Sequence, residues 1–256
     1  MSYKILVTSP SHNSGVSIVS ILLNHLMTLA GKTSTLMFTE GECPTPLYLG
    51  LRPSESDPTR SIMQVVHLLE NGAIKDSDIL DYTIPYIQNG YLLDTSDPVL
   101  TMSQAHNVVQ DVYAHVSTDV VICDDSTSTV NVTTDSIYDT SDLIFIVINP
   151  SRKHYSVLRD YLNTFPNTAK NKIVLVMNEY TETVGAARDI AKFLHFRPSY
   201  FCKLHYNPYI TNDCLKGKCR NIVPYALSKD PRYANLVGDL DELSSCVANF
   251  MLTERR

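Results

Sequence analysis

The chain has 256 residues, 44% of them hydrophobic and 19% charged, and a formal net charge of −6. That apolar content supports a packed core and excludes a disordered tail, a linker or a fibre. No apolar run approaches the roughly 18 to 20 residues that span a bilayer, and the acidic surplus argues against DNA as the principal partner.

The N-terminus, Met1 to Val7, enters a strand pattern at once and lacks the basic and apolar regions of a secretory leader, so a cytoplasmic location is expected. Tyr3 to Thr8 reads as a strand. Gly15 to Ala30 follows with Val16, Val19, Leu22, Leu23, Leu26 and Leu29 at helical spacing. Thr35 to Thr39 predicts a second strand, Ile62 to Leu69 and Ile79 to Tyr82 short helices, Gly90 to Leu93 a third strand, and Ser103 to His115 a helix. Val120 to Cys123, Leu143 to Ile148 and Ile173 to Met177 are nearly continuous apolar runs, the pattern of strands buried on both faces. Helices over Ser151 to Phe165 and Val184 to Leu194, a strand over Tyr200 to Leu204 and a helix over Tyr233 to Leu252 complete the chain. In that last helix Leu240, Leu243, Val247 and Phe250 fit core packing better than a membrane surface, because Asp239, Asp241 and Glu242 interrupt it. This alternation predicts an α/β fold, a doubly wound and mainly parallel sheet with helices on both faces, in a single domain over residues 1–256. Chemistry is then expected in the loops at the carboxyl ends of the strands, after Thr8, Thr39, Cys123 and Met177.

The six cysteines, at positions 43, 123, 202, 214, 219 and 246, include no CxxC pair and read as ordinary thiols. Cys214 and Cys219 are closest in sequence, but no His or further Cys stands at zinc-site spacing. No GxSxG turn or other nucleophile signature is present, so no catalytic residue is assigned.

The loop Ser9 to Ser17 lies between a strand and a helix, where a P-loop places backbone N–H groups around phosphates. Against G-x-x-x-x-G-K-[ST], Gly15 takes the second glycine and Ser17 the magnesium-side hydroxyl, while Pro10 replaces the first glycine and Val16 the lysine. His12 is a loop histidine within phosphate reach or simply exposed. Gly31-Lys32-Thr33 imitates the end of the motif, but Leu26 stands at its upstream glycine, so a turn into the second strand is expected.

The loop at Ser9 to Ser17, Thr35 to Leu51, Asp119 to Asp124, Ser141 to Val147, Val174 to Asn178, and the stretch from His205 to Lys218 together resemble the ParA/MinD family of deviant Walker A ATPases over nearly the whole chain. The resemblance implies that Ser17 and Asp124 hold Mg2+, Asp124 through water, that Gly15 shapes the phosphate loop, and that Asn178 contacts adenine. It also implies ATP or ADP as ligand and a homodimer. This chain departs from the family pattern at four places. Ser11 stands at the signature lysine, Val16 at the Walker lysine, Thr39 to Glu42 in the switch I aspartate region, and Asp125-Ser126-Thr127 after Asp124 without the small Pro/Gly element. Lysines matter there because phosphoryl transfer depends on stabilising developing negative charge. The degenerate loop is most similar to TadZ/CpaE-like proteins of Tad (Flp) pilus assembly, without that group's receiver-like N-terminal domain. The implied function is a pseudo-ATPase that positions or scaffolds a pilus or secretion assembly. Its partners would be an assembly ATPase or a membrane complex, reached peripherally at the inner membrane. The alternative is an active ATP hydrolase for DNA or plasmid partition.

Overall fold

The computed structural model describes residues 2–39, 43–51, 62–95, 102–125, 135–150, 152–165, 169–181, 190 and 200–253. The switch I residues Glu40 to Glu42, Ser126 and Thr127, and the helix expected over Val184 to Leu194 apart from Ile190, lie outside them.

The elements run β1 (Tyr3–Thr8), α1 (Val16–Leu29), β2 (Ser34–Phe38), α2 (Thr45–Tyr48), α3 (Ile62–Glu70), β3 (Ile84–Ile87), β4 (Gly90–Leu92), α4 (Met102–His115), β5 (Val120–Asp125), α5 (Asp135–Thr140), β6 (Leu143–Ile148), α6 (Arg152–Thr164), β7 (Ile173–Tyr180), β8 (Tyr200–His205), α7 (Pro208–Leu215), α8 (Ile222–Leu227) and α9 (Leu236–Thr253). The strands form one sheet in the order β3-β4-β2-β5-β1-β6-β7-β8. Every pairing is parallel except β3 with β4. The doubly wound fold expected from the alternating patterns is therefore the observed one. The segment read as a helix over Ile79 to Tyr82 belongs to a 3-10 turn, Asp76–Tyr82, where Asp78 and Lys75 close a capping interaction.

Alternation along the strands builds two cores. Ile5 and Val7 of β1, and Val120 and Ile122 of β5, face α1, α8 and α9, whereas Leu6, Val121 and Cys123 face α4 and α6. All these strand residues are wholly buried, each contributing on the order of 1.5–3 kcal/mol for a large apolar side chain. α9 packs as expected: Leu240, Leu243 and Val247 are buried against β8 and α1, with Phe250 partly covered. Among the described residues no helix is long and apolar enough to cross a membrane.

α1 carries a polar residue the core does not satisfy. His25 is buried, and neither ring nitrogen has a hydrogen-bond partner. Burial alone lowers its pKa to about 4. An unfolded histidine titrates near 6.5, so the unfolded state binds the extra proton between about pH 6.5 and 4, and stability falls as pH falls through that window. His25→Leu is expected to gain about 2 kcal/mol more at pH 5 than at pH 7.5, read from paired urea unfolding curves. A gain independent of pH would contradict this.

Candidate functional site

β2 and β5 lie on one side of β1, and β6, β7 and β8 on the other, so the chain reverses direction at β1 and opens a crevice at its carboxyl end. The loop from Ser9 to Gly15 sits there. Asn13 takes a left-handed φ of 58°, the Ser14 hydroxyl donates to the Ser11 carbonyl at 2.9 Å, and the Ser11 N–H donates to Ser9 Oγ at 3.1 Å. Gly15 caps α1 with φ 95°, and no side chain caps the helix, so its first-turn N–H groups are not taken by a capping residue.

Gly15 is required twice over. Its φ is left-handed, and a Cβ there would stand 2.1 Å from Asn178 Nδ2. Asn178, on β7, donates from that nitrogen to the Ser14 carbonyl at 2.9 Å, which ties the strand to the loop. It also lines a small pocket with Ile18, Leu22, Leu204, His205 and Asn207. His205 Nδ1 lies 2.7 Å from the buried Asp239 Oδ1 in the wall of that pocket.

Asp124 and Asp125 go to opposite faces because adjacent strand residues alternate. Asp125 points toward α6. It accepts from Thr8 Oγ1 at 3.0 Å and Thr39 Oγ1 at 2.8 Å, and the Thr8 hydroxyl lies 3.1 Å from that of Tyr161. It is a clasp holding the ends of β1, β2 and β5 together. Asp124 points toward α1 and is wholly buried. Its Oδ2 accepts from Thr45 Oγ1 at 2.8 Å and from Cys43 Sγ at 3.5 Å, while Oδ1 has no hydrogen-bond partner. Burial pushes this carboxyl up to about 6, although Ser17, Thr45 and Cys43 all favour its charged form. The Ser17 hydroxyl is buried in the same corner, 4.0 Å from Cys43 Sγ. Burial, and next the nearby Asp124 charge, hold the Cys43 thiol protonated.

A hard divalent cation fits this corner. Mg2+ takes oxygen ligands, commonly one or two carboxylates with waters and phosphate oxygens, and the unpartnered Asp124 Oδ1 beside the Ser17 hydroxyl is such a donor set. The two lysine positions are a different matter. Val16 is only 3% exposed and belongs to the apolar core, and the buried Ser11 hydroxyl has no partner. Lys32 lies beyond the far end of the 14-residue α1, roughly 20 Å from the loop, in the turn expected for Gly31-Lys32-Thr33. Lys153 lies in α6, its side chain outside the described residues. His12 is exposed.

The structure brings Gly15, Ser17, Asp124 and Asn178 around one loop. Sequence reasoning missed Cys43 and Thr45, whose approach to Asp124 depends on the four-residue α2 and carries no periodic signal.

No protein-family model and no curated protein matches the sequence. Solved structures do match in fold. The MinD cell division protein of Aquifex aeolicus matches with a TM-score of 0.69 at 12% identity over 97% of each chain. The septum site-determining protein MinD of Pyrococcus horikoshii, complexed with Mg-ADP, matches with 0.69 at 16% identity over 96% of each. A ParA family ATPase from Chlorobium tepidum matches with 0.66 at 13% identity over 87% of this chain and 93% of that one. The chain has the fold of the MinD and ParA P-loop ATPases.

Proposed function

We propose that this chain is a single-domain, MinD/ParA-like pseudo-ATPase that keeps the frame of a Mg-nucleotide site without the cations that drive hydrolysis. It works as a homodimeric positioning or scaffold component of a pilus or secretion assembly, as TadZ/CpaE-like proteins do. The observation that carries the reading is Val16, buried in the apolar core at the position where a phosphate-binding lysine would stand. Gly15, Ser17, Asp124 and Asn178 support residual nucleotide binding, since they keep a glycine-shaped loop, a hydroxyl, an unpartnered carboxylate oxygen and a side chain at the pocket. Mg2+ held by Ser17 and Asp124 would neutralise phosphate charge. The Mg-ADP complex of Pyrococcus horikoshii MinD and the MinC complex of Aquifex aeolicus MinD are precedents for a nucleotide and for a protein partner. The net charge of −6 favours protein over DNA as partner.

Val16→Lys tests the reading. A buried unpaired ammonium lowers the stability of the ligand-free protein, and a charge-assisted contact to phosphate raises Mg-ATP affinity by roughly tenfold. Calorimetric titration of wild type and variant should show that gain. Equal affinities would mean that the loop no longer cradles phosphate.

A further inference from the structure

Four of the six free cysteines stand as two buried pairs. Cys214 at the end of α7 and Cys219 in the following turn have sulfurs 2.6 Å apart. Cys202 in β8 and Cys246 in α9 have sulfurs 3.1 Å apart. A disulfide bond measures about 2.05 Å, so the first pair stands roughly 0.6 Å beyond bonding distance and the second roughly 1 Å. Among the described residues no three His, Cys, Asp or Glu side chains come together as a metal-binding group, so each sulfur has its partner sulfur as neighbour and not the ligand set of a zinc site.

We propose that these pairs are oxidation sites: a hydroperoxide converts Cys214 with Cys219, and Cys202 with Cys246, into two intramolecular disulfides, and leaves Cys43 and Cys123 as thiols. In each pair one thiolate attacks a peroxide oxygen, the O–O bond breaks, and hydroxide leaves a sulfenic acid behind. The partner thiolate then attacks that sulfur, the S–S bond forms, and a second hydroxide departs. The two hydroxides take up the two thiol protons as water, and the two electrons lost by sulfur reside in the reduced oxygens. In the second pair Cys246 starts the reaction. It is 6% exposed where Cys202 is wholly buried, and the hydrogen bond from Cys202 favours its thiolate. Cys43 lies against the Asp124 carboxylate, and Cys123 is sealed in the opposite core.

Each bridge has a structural consequence. Closing Cys214 to Cys219 fixes the turn that carries Gly217, which packs so tightly on Gly50 that a Cβ on Gly50 would lie 2.5 Å from the Gly217 carbonyl oxygen. Gly50 follows α2, whose Thr45 holds Asp124, so this bridge braces the wall of the candidate cation site. Closing Cys202 to Cys246 staples the edge strand β8 to α9.

The experiment uses the full, reduced protein freed of reductant. It is exposed briefly to hydrogen peroxide, quenched with catalase, unfolded in guanidinium containing N-ethylmaleimide, and weighed intact. Six labels are expected before oxidation and two after it, with peptide mapping joining Cys214 to Cys219 and Cys202 to Cys246. Any other count after oxidation, or any other pairing, including one between chains, overturns the proposal.

Discussion

Asp124→Asn should stabilise the ligand-free protein at pH 8 by about 2 to 3 kcal/mol, or roughly 5 to 10 °C in Tm. Asp124 is wholly buried with its pKa raised to about 6, whereas an unfolded aspartate titrates near 3.9. Protonated Asp124 therefore favours the fold below about pH 4, that advantage is lost as pH rises through 6, and above this the native state carries a buried charge with one unpartnered oxygen. Asparagine removes the charge and still accepts from Thr45. The gain over wild type should shrink by about half at pH 5 and vanish near pH 3.5. A loss of stability at pH 8 would show that the carboxylate is well solvated or already paired. A residue that costs stability when its site is empty is what a cation-binding carboxylate looks like, and Mg-ATP should narrow the difference between the two proteins.

Gly15→Ala carries the largest expected loss, about 2 to 3 kcal/mol. A left-handed φ at a non-glycine residue costs roughly 1 to 2 kcal/mol, and displacing Asn178 forfeits a hydrogen bond worth about 1 kcal/mol. Overlap at 2.1 Å forces that displacement. A double-mutant cycle separates the two causes. In an Asn178→Ala background the clash is gone, so Gly15→Ala should cost only the backbone part. Equal costs in the two backgrounds would mean that Asn178 does not press on the loop.

The central strands were legible because β5, β6 and β7 are buried on both faces over Val120 to Cys123, Leu143 to Ile148 and Ile173 to Met177 and so read as unbroken apolar runs. β3 was not. It is a four-residue edge strand containing Pro85, it pairs antiparallel to β4 across a turn with Asn89 at φ 60°, and its apolar residues are too few to show a period. α7 carries a readable start signal, since Asn207 before Pro208 is a helix start and the Asn207 side chain accepts from the Tyr209 N–H. In the site, motif spacing singled out Gly15, Ser17, Asp124 and Asn178. Strand alternation also separates the roles of Asp124 and Asp125, sending one to α1 and the other to Thr8 and Thr39. Thr45 and Cys43 could not be foreseen, because a segment outside any long element brings them to Asp124 and their hydrogen bonds exist only in the folded chain.

A single-turnover assay decides whether the site binds nucleotide without hydrolysing it. Protein in excess is incubated with γ-labelled ATP and Mg2+, and the bound nucleotide is recovered over time. Intact ATP is expected from the wild type, because Val16 and Ser11 supply no positive charge to the β- and γ-phosphates. Stoichiometric phosphate release that is abolished by Asp124→Ala would contradict it.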